Sequence, residues 1–273
     1  MDWLRKLGKI DRRIIFLVVI IAVAIPIIYP LNLPVFVTAE VRGVYDEIDK
    51  LPAGSAVMID FDYEPASTPE LDPMAIAILK HCFSRNLRVI AVTNYASGTG
   101  LAEKWLTQIG KQYGKVNGKD YVNLGYKAGG YAVIIGLGTD LRKTFPKDFY
   151  GNSTLNLEVL KGIQTLRDIS YLVCLHDDST VFDWITYGYE RYGIKLGAGC
   201  TAVMAPGNYP AMQAKQLTGI IGGLKGASEY EKLVGYRSSG SEGMDSQSVI
   251  HIFIIMLIVF GNISYFTLRG KKK

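Results

Sequence analysis

Cysteine is scarce in this chain. Three thiols in 273 residues, Cys82, Cys174 and Cys200, are too few for a disulfide-built fold. Cys82 falls on the apolar face of a helical pattern and Cys174 inside a strand-like run, so both read as small buried hydrophobes. A Cys174–Cys200 bridge stays open if their strands are neighbours. Histidine is equally sparse. His81 reads as a helix-surface residue and His251 falls inside an apolar run, which leaves His176 alone near any prospective site. There is no G-x-S-x-G elbow, H-E-x-x-H pair, paired C-x-x-C or P-loop. Gly125–Gly138 is glycine-rich but lacks the dinucleotide-binding spacing, so its Lys127-Ala128-Gly129-Gly130 stretch reads first as a turn. No internal repeat is present.

Charge is absent from two stretches, and these dominate the reading. Ile14 to Tyr29 is apolar throughout and continues weakly to Val37; Val249 to Leu268 is apolar for 20 residues. A helix needs about 20 apolar residues to cross a bilayer core. We therefore expect membrane helices over 14–36 and 249–268, the first doubling as a signal anchor or, if cleaved near Val37-Thr38-Ala39, a signal peptide.

Basic residues flank both runs. Residues 1–13 carry a net +3 and 269–273 a net +4, whereas 40–248 hold 21 basic and 23 acidic residues, a net −2. Lys and Arg beside membrane segments stay on the cytoplasmic side. The expected topology is two-pass in the cell membrane, with a basic head and tail inside and the central domain periplasmic or extracellular. The overall positive charge then marks membrane topology and gives no reason to expect a nucleic-acid partner.

The central 40–235 segment alternates apolar strands with amphipathic helices. Ser55–Phe61, Leu87–Thr93, Tyr121–Tyr126, Tyr171–Leu175 and 195–203 read as strands, and 69–83, 100–113, 181–192, 210–224 and 228–234 as helices. Tyr131–Leu137 is ambiguous. Continuously apolar strands separated by helices predict an α/β fold, a Rossmann-like or flavodoxin-like doubly wound, mostly parallel sheet. The Gly/Ser-rich stretch 236–248 reads as a flexible linker.

In such a sheet ligands bind beyond the carboxyl ends of the strands. Asp60 and Asp62 close the first strand, Thr93 the second, and His176, Asp177 and Asp178 the Tyr171 strand. Asp60, Asp62, Asp177 and Asp178 are candidate ligands for a hard cation such as Mg²⁺. Gly98, Thr99 and Gly100, opening a helix, are candidates to hold an anion on free backbone N–H groups, with His176 nearby. The order Asp60-x-Asp62, Thr93, a later lysine and Asp177-Asp178 resembles the haloacid dehalogenase-like phosphohydrolases. That resemblance implies Asp60 as nucleophile, Asp62 as acid/base, Thr93 with Lys143 or Lys147 on phosphate, and Asp177 and Asp178 on Mg²⁺. It rests on six short positions. Tyr63-Glu64 stands where the family has a small Gly/Val-Thr pair, and no single lysine is clearly placed.

Interaction signals stand beside these. Gly219/Gly223 and Gly222/Gly226 form overlapping G-x-x-x-G pairs, Trp184, Tyr187, Tyr189 and Tyr192 crowd one helix, and Asn262 and Ser264 place polar groups in the second apolar run. The leading expectation is an accessory or scaffold protein whose α/β domain binds a partner protein or ligand within a membrane complex, with a membrane-protein partner or a second copy. A Mg-dependent phosphohydrolase and a small-ligand-binding sensor are the alternatives.

Overall fold

The computed structural model describes residues 11–269, with side chains to 267. The rest of the basic head and tail lies outside the described residues. The chain divides into two units, one of residues 1–34 with 241–273, the other Val35–Gly240.

Val35–Gly240 is the α/β domain. Its strands are β1 (Ala56–Asp62), β2 (Arg88–Thr93), β3 (Tyr121–Tyr126), β4 (Tyr171–His176), β5 (Leu196–Cys200) and β6 (Ile220–Gly222). They form one all-parallel sheet in the order β3-β2-β1-β4-β5-β6. A parallel sheet needs both faces covered, which is why all seven residues of β1 are buried. Odd-numbered β1 side chains, Val57, Ile59 and Phe61, pack with α2 (Ala39–Asp49), α3 (Thr68–Ser84), α4 (Ala96–Gln112) and α9 (Gly223–Val234). Even-numbered Met58 joins the opposite core with α5 (Tyr131–Thr139), the helix of residues 180–192, here α7, and α8 (Ala205–Gln213). A four-residue helix α6 (Leu141–Thr144) follows α5.

Four readings are resolved or changed. The ambiguous Tyr131 segment is a helix. The 210–224 stretch is no single helix: α8 ends at Gln213 and β6 follows. Consequently the glycine pairs do not line a helix face. Gly219 lets α2 approach closely, since a Cβ there would stand 2.2 Å from the Glu40 carbonyl oxygen, and Gly226 packs on Ile221. His81 is buried, not on the surface: its ring stacks on Tyr45 and Nδ1 lies 2.9 Å from the Tyr230 hydroxyl. The cysteines are free and buried, as their apolar settings suggest, and the Cys174–Cys200 bridge left open does not form.

In the other unit, the second apolar run belongs to α10 (Ser239–Arg269), of which Ser239–Thr267 is the one helix among the described residues long and apolar enough to span a membrane. The first forms α1 (Arg12–Ile28), 17 residues containing Pro26, shorter than the expected span. The expected pair of spanning helices is thus met by one. The 236–248 linker is also helical from Ser239, because the buried Glu231 carboxylate accepts the backbone N–H groups of Ser238 and Gly240 and so caps the helix start. Within the apolar unit, buried Asp245 accepts the N–H groups of Asn32 and Leu33 at 3.0 and 3.2 Å.

Candidate functional site

The strand order reverses direction of growth between β1 and β4, and the crevice of a doubly wound sheet opens at that point. The register sets Asp60 beside Cys174 and Asp62 beside His176. Residues two apart on a strand share a face, so Asp60, Asp62, Cys174 and His176 all point toward α7 and α8. The sequence-predicted acids and histidine are therefore brought to one place.

They meet as a closed network. Trp184 donates its indole N–H to Asp60 Oδ2, and the Cys174 thiol lies 3.8 Å from the same oxygen. Asp60 Oδ1 is buried and receives no donor. Burial, then the charge of Asp62 beside it, push Asp60 well above the usual carboxylate range. Both effects favour the neutral form of Asp60 over the charged one. Asp62 is raised by burial too, but it receives the Asn94 backbone N–H at 2.5 Å, the Asn94 side-chain amide at 2.9 Å and the Thr93 hydroxyl at 3.3 Å.

Above Asp62, Tyr95 donates its hydroxyl to Asp178, which also accepts Thr180 N–H and Oγ1–H at 2.8 Å each. Burial works to raise Asp178, but these donors hold it below its ordinary value. His176 donates Nδ1–H to the Asp178 carbonyl at 2.8 Å and accepts from the Asn208 amide on Nε2 at 3.1 Å. That arrangement fixes a neutral ring, and burial lowers its pKa accordingly. Asp177 turns away, accepting Glu64 N–H at 2.9 Å and the Ser67 hydroxyl at 2.6 Å. Residues Trp184–Tyr189 of α7 form a π-helix, a rare geometry that carries the indole onto Asp60.

This geometry does not fit the roles expected of the acids. Asp60, Asp62 and His176 are completely buried. Asp60 offers a phosphoryl group no exposed oxygen, since it is fully buried and one of its oxygens is bonded to the Trp184 indole. The four aspartates point to protein donors instead of one cation-sized space, and among the described residues no three His, Cys, Asp or Glu side chains gather as a metal-binding group. Lys143 pairs with Asp140 at 3.5 Å, away from the network. Asn94, Tyr95 and Asn208 were missed from the sequence, and Trp184 was read there only as part of an aromatic interaction face. Only Asn94-Tyr95 carried a signal, standing directly after Thr93 at a strand end.

The glycine turn also resolves by geometry. A Cβ at Gly98 would stand 2.0 Å from the Phe61 carbonyl oxygen, so Gly98 packs α4 against β1. Thr99 and Gly100 instead line an open cleft of about 620 Å³ at the carboxyl end of β3, with Tyr126, Lys127, Lys147 and Phe149. The N-terminus of α4 there has no side-chain cap. Compared with known proteins, the chain matches no family model, no curated protein and no solved structure.

Proposed function

We propose that this chain is a membrane-anchored, non-catalytic accessory protein whose α/β domain binds a partner or ligand at the carboxyl edge of its sheet. One observation carries the reading: at the switch point every acid is buried or committed to protein donors, while the open space lies beside it, in the cleft at the end of β3. A hydrolase needs a reachable nucleophile; a binding domain needs a cleft.

Anchoring by both apolar runs is part of the proposal. α1 alone spans about 25 Å, against a bilayer core of about 30 Å. Counting on to Leu33 closes the difference, and Asp245 ties that end of the first run to the start of α10. The flanking positive charges support cytoplasmic termini and an extracytoplasmic domain. Thr38 supports retention of the first run: the buried Glu229 carboxylate accepts both its N–H at 2.7 Å and its hydroxyl at 2.6 Å, so cleavage after Ala39 would cut a bonded segment.

A small-ligand sensor is the second reading, favoured by the cleft volume, which lies within the roughly 300–1,000 Å³ of small-molecule sites.

The test pairs two measurements on the full chain. Purified protein with Mg²⁺ and a generic phosphomonoester should show no turnover, and photo-crosslinkers at Tyr126 and Phe149 in native membranes should trap an adduct. Turnover abolished by Asp60→Asn would overturn the reading.

A further inference from the structure

The cleft at β3 continues. A second cavity of about 360 Å³ shares Lys127 and Thr144 with it, and a third of about 650 Å³ shares Pro146 with the first and Thr139, Asp140 and Lys143 with the second. The three adjoin through these shared walls, as a composite groove with more space than a small-molecule site needs. The Lys127-Ala128-Gly129-Gly130 turn, with Gly129 at φ 144° and Gly130 at φ 54°, forms part of its wall.

The groove is basic on a domain that is not. Lys127, Arg142, Lys143 and Lys147 line it, against Asp140 and Asp148. Asp148 is buried and occupied by the N–H groups of Tyr150 and Asn152 and the Asn152 amide. Asp140 caps α6 and pairs with Lys143. Lys127 donates to the Thr144 carbonyl at 2.6 Å and stands over the Phe145 ring, and neither it nor Lys147 pairs with a carboxylate among the described residues. A local net +2 thus stands on a 40–248 segment of net −2. Apolar side chains stand in the same walls: Tyr126, 45% exposed, and Phe149, 44%, in the first cavity, and Leu155, 71%, in the third.

We infer that this groove docks an extended, acidic segment of a partner protein, its carboxylates on Lys127 and Lys147 and its apolar side chains against Tyr126, Phe149 and Leu155. The inference rests on the binding reading above and names the partner's chemistry. Three adjoining cavities select an extended segment over a compact ligand, charge complementarity selects acid, and the exposed Tyr126, Phe149 and Leu155 select apolar side chains among the acids.

The experiment is fluorescence anisotropy of the full chain in nanodiscs with a labelled peptide of alternating acidic and aromatic residues. Its lysine-substituted counterpart and inorganic phosphate serve as comparators. The acidic peptide should bind, binding should weaken with salt, and the lysine peptide should not bind. Lys127→Glu with Lys147→Glu should weaken binding at least about tenfold, and Leu155→Ser, an exposed change that spares the fold, should weaken it as well. Lys111→Glu, at the opposite end of α4, should leave it unchanged. Equal binding of both peptides, or undiminished binding by the charge-reversed variant, would overturn the inference. Displacement of the acidic peptide by phosphate alone would overturn it in favour of a small anion. If no peptide binds while crosslinkers at Tyr126 and Phe149 still trap a protein, the acidic-segment inference falls and the binding reading stands. If neither gives a product, both fall.

Discussion

Tyr95, just beyond β2, donates its hydroxyl to Asp178, just beyond β4, and so bridges the carboxyl end of β1, which lies between them in the sheet. The bond closes the switch-point crevice over Asp62. Where a doubly wound sheet ordinarily admits a ligand, this one carries a bond between two of its own side chains.

Tyr95→Phe removes that donor while keeping the ring. It should cost about 1.5–3 kcal/mol, the range for a bond to a charged acceptor, and let Asp178 rise toward its ordinary pKa. Urea denaturation and carboxyl NMR titration read the two effects. An unchanged Asp178 titration would show that the bridge does not hold the charge.

Asp60→Asn tests whether Asp60 is held neutral. An amide reproduces a protonated carboxyl, accepting from Trp184 and donating to Asp62, so the variant should lie within about 1 kcal/mol of the parent near pH 5. Asp60→Ala leaves a buried indole N–H unpaired and should cost about 2–3 kcal/mol. The folded-state pKa of Asp60 is raised, so its contribution to stability is complete below about pH 4, the unfolded value, and is lost as pH climbs through the folded value. Between the two values the native state holds the extra proton. The Asn variant cannot lose it, and denaturation at rising pH should show the variant gaining on the parent. A difference independent of pH would mean that Asp60 titrates normally.

His176 produces the opposite trend. Its folded-state pKa is lowered, so its contribution is present above about pH 6.5 and is lost as pH falls through the folded value. The parent should lose stability on acidification below about pH 6.5, and His176→Gln should flatten that limb. An unchanged acid limb in the variant would assign the loss to other groups.

Gly98 and Gly100 stand two residues apart in the same helix and should respond oppositely to alanine. At Gly98 the added carbon meets the Phe61 carbonyl at 2.0 Å and the Thr93 hydroxyl at 2.6 Å, so the cost should reach at least about 3 kcal/mol. At Gly100 it meets nothing within 4 Å, so helix propensity should add up to about 1 kcal/mol. Thermal melts of the two variants decide this; similar losses at both positions would refute the packing role of Gly98.

Topology is read by cysteine labelling. The native thiols are buried, which keeps background low. Ser239→Cys, at an exposed position, should react with an impermeant reagent from outside, and Gly270→Cys only after lysis. The reverse pattern would invert the proposed orientation.

What the sequence determined by itself was local and periodic. Strands β1 to β5 stand within a residue or so of their apolar runs, except that the predicted 195–203 strand ends at Cys200, and the helices over 69–83 and 100–113 follow from the 3.6-residue repeat. A parallel sheet then put Asp60, Asp62 and His176 at one edge. Short, glycine-rich β6 carried too little pattern to be seen, and the π-helix in α7 has no periodic signature. The tertiary structure decided what the acids do, because their partners are far away in the chain. Asp62 meets Asn94 across 32 residues and Asp60 meets Trp184 across 124. Ionisation depends on that burial and that company, which no window of sequence contains. The same holds for the groove, whose walls at Thr99, Tyr126, Lys147 and Leu155 are joined only by the packing of α4, β3 and the loops beyond α6.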